Sequence, residues 1–261
     1  MAGRPEPPPS TTDKYPTNFP LDDIVTLEIG EKSDVIRVHK GILSFYSGYF
    51  RAALDGNFAE ATKGVIKLPT EEFKVVKHAV TWMYIRKFNV DSKSTARGAT
   101  GVLLCKLWAF ADRREVPMLA NDTIDRLRSH LLTHWYRPSN EMVRFTYANT
   151  ATASALQRFL VLFMALSSDV ESFKDEDQPH LPQEAIWDLM KAVWTIKDHE
   201  TSREYPDLAT KGSPTKKQLI RQLDMCEFHV HESGVICKLA AYKRSRSDPG
   251  ELPAGKASKK K

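Results

Sequence analysis

DIVTLEIGEKSDVIRVHKGILSFYSGYF, residues 23–50, is the stretch that decides the fold. Val25, Leu27 and Ile29 alternate with Thr26 and Glu28, the period-two pattern of a strand buried on one face. Gly30–Asp34 (GEKSD) supplies turn residues, and Val35–Val38 (VIRV) is a second β-branched run, so the two predict a hairpin. From His39 to Leu54 the apolar spacing lengthens and predicts two short helices, broken near Ser47-Gly48.

Further along, Val65–Leu68 (VIKL) is a third short strand, stopped by Pro69 and Thr70. Thr70, Glu71 and Glu72 suit a helix start, where negative charge complements the dipole. Phe73, Val76, Val80 and Met83 then predict one buried helix face. Asn89–Thr100 is polar and reads as a loop, after which Leu103, Leu107 and Phe110 mark a helix. Pro117 opens another, with Ala120, Ile124, Leu127 and Leu131 inward, and Pro138-Ser139 opens a third that runs to Asn149. Leu156–Leu166 is apolar nearly all round, which predicts burial in a bundle. Glu171–Gln183 reads as a solvated linker, and Ile186, Leu189, Met190, Val193 and Trp194 form a stripe that needs a cover. Leu219 and Leu223 mark a last short helix. Strands in front and helices behind give an α+β fold with an all-α continuation.

The 261 residues, 41% hydrophobic and 27% charged, have the balance of a globular protein. The densest apolar run, Phe159–Leu166, is far shorter than the roughly 20 residues of a membrane span. The opening MAGRPEPPPSTTDKYP lacks the apolar core of a secretory signal, and three cysteines argue against a disulfide framework, so an intracellular setting, cytoplasmic or nuclear, is expected. On that expectation the sequon at Asn121 is read as chance. The net charge is +5, yet Lys238–Lys261 carries eight basic and two acidic residues, which leaves the other 237 at −1. A broad nucleic-acid-binding face on the folded part is thereby disfavoured. Nor is there a G-x-S-x-G, a Walker-type loop, an H-E-x-x-H or a G-x-G-x-x-G, so no enzyme is expected.

The order of these elements and the residues carrying them resemble the BTB (POZ) family. Asp23–Leu27 (DIVTL) is similar to its opening strand, and Val38-His39-Lys40-Gly41-Ile42-Leu43 with Ser47-Gly48-Tyr49-Phe50 to its H-[KR]-x-V-L-x-x-x-S-x-x-F segment. Phe58-Ala59-Glu60 resembles its F-x-E, Ile66-Lys67-Leu68 and Trp82–Ile85 its third strand and following helix, and Leu107–Asp112 with Val116–Asn121 its closing pattern. The likeness spans roughly residues 20–132, and the rest resembles the helical extension of small fungal BTB proteins. It implies a helical cluster capped by a three-stranded sheet over residues 21–132, after a Pro-rich disordered lead-in, 1–20. A helical extension, 133–240, and a basic disordered tail, 241–261, would follow.

The resemblance also implies a non-catalytic protein–protein interaction module, acting as an adaptor or as the substrate receptor of a cullin-based ubiquitin ligase. Asp23 and Lys40 match the family's pocket charges, and Phe58 and Glu60 fit the hydrophobic-x-Glu pattern of cullin contact. The helix pair within 139–168 lies where a further cullin-contact box would be. His39 reads as a structural histidine. The family's dimers use a helix ahead of the first strand; here Pro16 and Pro20 interrupt the matching segment, which puts the usual swapped homodimer in doubt.

Cys226, His229, His231 and Cys237 form C-x2-H-x-H-x5-C, four soft or borderline ligands that could hold tetrahedral zinc in a nuclear factor. In a regular strand Cys226 points away from both histidines, so one alternative is a small hairpin with Phe228 and Val230 in, the histidines out and no cofactor; a disulfide is a third reading, disfavoured inside a cell. Lys243-Arg244-Ser245-Arg246 and Lys259–Lys261 match a nuclear-import signal or a weak nucleic-acid contact, or serve as a solubilising tail.

Overall fold

Side chains that alternate in β1 (Ile24–Ile29) and β2 (Asp34–His39) do pack on one face of a hairpin. Val25 stands opposite Val38 and Leu27 opposite Ile36 in an antiparallel pair. The turn between them uses left-handed backbone at Gly30 (φ 67°) and Ser33 (φ 53°), and the Ser33 N–H donates to the Gly30 carbonyl at 3.2 Å. β3 (Val65–Leu68) joins the other side of β1 in parallel, so the sheet order is β2-β1-β3. The computed structural model describes residues 23–56, 59–88, 97–201 and 216–231.

Ten α-helices are described. α1 (Lys40–Tyr46) and α2 (Gly48–Asp55) are separated at Ser47, where the break was expected. The reason is local: the Ser47 hydroxyl accepts from the Phe50 N–H at 2.9 Å as an N-cap and donates to the Arg114 carbonyl at 2.5 Å. α3 (Ala59–Lys63) leads into β3. α4 (Phe73–Ile85) buries Val76, Val80 and Met83 as expected, but leaves Phe73 38% exposed; Val75, Ala79 and Trp82 complete its inner face. α5 (Arg97–Arg113) begins inside the stretch read as a loop, and α6 (Pro117–His134) turns Ala120, Ile124, Leu127 and Leu131 inward.

α7 (Asn140–Asn149) and α8 (Ala155–Ser167) start at Ser139 and Ser154, each of whose hydroxyls accepts a helix N–H. α8 buries Leu156, Phe159, Leu160 and Phe163. These share one hydrophobic cluster with Leu27 of the sheet and Leu107 and Leu131 of α5 and α6. The extension is thus packed into the core that the sheet covers. α9 (Gln183–Thr201) and α10 (Lys216–Gln222) complete the helices. Apart from His231, the described residues form one compact unit.

Two sequence expectations are corrected here. Residues 171–183 are exposed along much of their length, as a polar linker would be, but they are structured: 3-10 turns at Val170–Ser172 and Asp175–His180 are docked through Asp177. Its carboxylate accepts from Arg137 Nη2 at 3.1 Å and Asn140 Nδ2 at 2.6 Å, which places a charge run against the start of α7. The α9 stripe is covered by described residues at Leu189 alone. Ile186, Trp187, Met190, Val193 and Trp194 stay 37–58% exposed, while Ala185 and Leu189 pack with Val143 and Met164. The buried face is offset by one residue from the expected stripe, about 100° around the helix.

Candidate interaction surface

β2 hands over to α1 at His39, and the corner is closed by backbone. The Lys40 N–H donates to the Asp23 carbonyl at 2.7 Å, so the two residues singled out as pocket charges are brought together. Their side chains are not paired. Lys40 Nζ lies 3.1 Å from Asp55 Oδ1 at the end of α2, and Asp23 is exposed. His39 is held as a structural residue: its Nδ1 is 2.7 Å from the Tyr84 hydroxyl, which also accepts from the His39 N–H at 3.1 Å.

Glu60 lies on α3, half-buried, with its carbonyl accepting from the Gly64 N–H at 2.9 Å. α3 packs on α2, the helix that carries Asp55. Phe58 lies outside the described residues, as do Pro16, Pro20, Cys237 and both basic tail clusters. The α7–α8 pair is present and packs on α5 and on itself.

The Cys/His segment does not form the first arm of a hairpin. Met225–Phe228 is a 3-10 turn whose Cys226 N–H donates to Asp224 Oδ1 at 3.1 Å. Phe228 is buried edge-on against Phe159, with ring centroids 5.6 Å apart. Val230 faces outward and His229 inward, the reverse of the strand expectation: His229 Nε2 lies 3.1 Å from Asp125 Oδ1. The turn decides this, because it rotates the chain out of strand phase just before His229. Cys226 is half-buried, and among the described residues no group of three or more His, Cys, Asp or Glu could hold a metal.

Asn121 fixes the end of this segment. Its Oδ1 accepts from the Val230 N–H at 2.7 Å and its Nδ2 donates to the Val230 carbonyl at 2.9 Å, so the sequon asparagine is buried and occupied. Arg128 Nη2 donates to the Ile220 carbonyl at 3.0 Å and Arg158 Nη2 to that of Glu227 at 2.9 Å.

Two polar clusters escaped sequence reading. Glu71, read as a helix-start charge, has a side chain only 3% exposed and accepts from Arg113 and Arg114, both at 3.0 Å. The Arg114 guanidinium also stacks 4.5 Å from the Tyr49 ring centre. Asp122 accepts from Trp82 Nε1 at 3.0 Å and lies 3.4 Å from Arg86 Nη2, whose guanidinium covers the Trp82 ring at 4.0 Å. Burial raises the Asp122 pKa, against the pull of Arg86 and the Trp82 bond. An i+4 count within one helix cannot reveal such partners; the adjacent arginines at the end of α5 were the one available hint. Burial pushes the Cys105 thiol up to about 12, which removes it as a nucleophile at neutral pH.

A cleft of about 640 Å³ opens where the starts of α4, α5 and α7 meet, over Val102 and Leu103. Its rim carries Glu72, Lys106, Arg137 and Asp177, already joined as two ion pairs. Charge is therefore balanced there, and the buried polar groups described above are engaged in holding helices together.

Residues 22–100 match the family model of the BTB/POZ domain. The chain carries a BTB/POZ domain. BTB domains are protein–protein interaction modules, and here the small sheet, β2-β1-β3, sits over a largely helical body as that fold requires. The match ends just inside α5, whereas the BTB core continues without a break into α6–α8. No curated protein matches the chain significantly. No described helix is long and apolar enough to cross a membrane.

Proposed function

We propose that the chain is a non-catalytic adaptor that brings proteins together through its BTB domain and the helices fused to it. The observation that carries this reading is the use made of the polar groups. Glu71, Asp122, His39 and His229 are each spent on a structural partner, and Cys105 is sealed in the core. What remains on the surface is recognition chemistry: Asp23 and Lys40 at one corner, Glu60 on a neighbouring helix, and the apolar face of α9. Affinity purification of the full chain, with mass spectrometry, tests it. Stable protein partners lost on charge reversal of Asp23 and Lys40 are expected, and a partner set unchanged by that reversal rejects this corner as the binding site.

A finer reading is the substrate receptor of a cullin-based ubiquitin ligase. The half-buried position of Glu60 on α3 and the α7–α8 pair behind α5 favour it. Cullin co-purification should fall when Phe58 and Glu60 are both changed to alanine in a folded protein. Undiminished co-purification, or none with the unaltered chain, defeats it.

A further inference from the structure

Among the described residues β2 has a neighbour on one side alone, because the sheet order is β2-β1-β3. The phase of its hydrogen bonding follows from one contact. The Lys40 N–H donates to the Asp23 carbonyl, so residues 23 and 40 exchange bonds across the hairpin. Bonded and non-bonded pairs alternate in an antiparallel ladder. The pairs 25/38, 27/36 and 29/34 are thus bonded, and 24/39, 26/37 and 28/35 are not. Val35, Arg37 and His39 consequently turn their N–H and C=O groups to the open edge. The His39 N–H is already taken by the Tyr84 hydroxyl, as this phase demands. Among the described residues nothing takes the edge groups of Val35 and Arg37.

Beside this edge runs a groove of about 320 Å³ between β2 and α4. Val35, Ile36, Phe73 and Val80 make it apolar, and Val35 is 52% exposed. Its charged lining consists of Arg37 and Lys77, with no carboxylate. Neither cation has a carboxylate partner among the described residues.

We propose that β2 is a docking edge for an extended segment of a partner protein in which apolar residues alternate with acidic ones. The inference rests on reading the chain as an interaction protein and names one partner chemistry for it. Backbone N–H and C=O groups of the partner would complete the ladder at Val35 and Arg37, its apolar side chains would enter the groove, and its carboxylates would meet Arg37 and Lys77. A second copy of this chain is the poorer occupant. Edge-to-edge pairing of two β2 strands would bring Arg37 towards its own copy, and like charges across strands repel.

Selection of short random peptides on the full chain tests this. Alternating apolar–acidic sequences should be enriched. Their affinity should fall about tenfold or more in Val35→Pro. That change removes an edge N–H but no bond of the β1–β2 ladder, and proline is tolerated on edge strands. Should Val35→Pro not fold, as read by circular dichroism, Arg37→Glu with Lys77→Glu carries the test, and the selected sequences should then become basic. Cullin co-purification is expected to be indifferent to all these changes, so failure here and failure of the cullin reading are separate results. Four outcomes overturn the proposal: no enriched peptide, enrichment without acidic alternation, peptides that bind a folded Val35→Pro equally well, or self-association of the chain that Val35→Pro abolishes.

Discussion

Glu71 and Arg114, 43 positions apart, are joined by a 3.0 Å hydrogen bond that ties the loop after β3 to the end of α5. The carboxylate is almost fully enclosed and its other oxygen meets Arg113, so removing it strands a partly buried guanidinium. Glu71→Ala should cost about 3–5 kcal/mol, the range for breaking a buried pair from one side. Denaturant unfolding measures it, and a loss no larger than that of an exposed pair contradicts the burial.

Leu43 is fully enclosed beneath the sheet. Leu43→Ala is expected to lower stability by about 2–5 kcal/mol, the cost of a cavity at such a site. A change below about half a kcal/mol, the size typical of surface substitutions, is incompatible with this position.

Because the sheet, α5, α6 and α8 share one cluster, the chain should unfold in a single transition over residues 23–201. Calorimetry with coincident circular dichroism and fluorescence curves is the check. Two separate transitions contradict a shared core.

Acid should loosen the contacts around α7. The Lys174 N–H, Asn140 and Arg137 hold the Asp177 pKa down, and Lys191 and the Tyr147 hydroxyl do the same for Asp188. Each carboxylate binds its proton less tightly folded than unfolded. Its contribution is complete above the unfolded value, about 3.9, and is lost as pH falls through the folded one. Asp177→Asn with Asp188→Asn should lower the neutral limb of the stability curve and flatten its acid limb, and an unchanged acid limb refutes this assignment.

For the C-terminal segment we expect less than a tenth of an equivalent of zinc by elemental analysis, because His229 is already engaged by Asp125 and Cys226 sits in a 3-10 turn. A full equivalent that disappears in Cys226→Ser reverses this expectation.

Local periodicity carried the strands, the break at Ser47 and the inner faces of α6 and α8, since each is decided by side chains within one or two turns of each other. It failed where the partner is remote. Which side of α9 is buried depends on Val143 and Met164, not on which stripe is most apolar. Glu71 looks like any N-terminal glutamate until the two arginines at the end of α5 arrive. His229 and Val230 exchange faces because a 3-10 turn precedes them, and its carboxylate cap, Asp224, lies just ahead of it. Of the candidate surface, Asp23, Lys40 and Glu60 were legible through family resemblance, whereas the open edge of β2 needed the strand order.

The BTB match stops at residue 100, while α5, which it enters, keeps Leu104, Leu107 and Trp108 in a core shared with α6 and α8. A fragment ended at residue 100 would cut through a buried helix and bare the apolar surfaces that α6 and α8 cover, so it should behave like one chain of an obligate complex deprived of its partner.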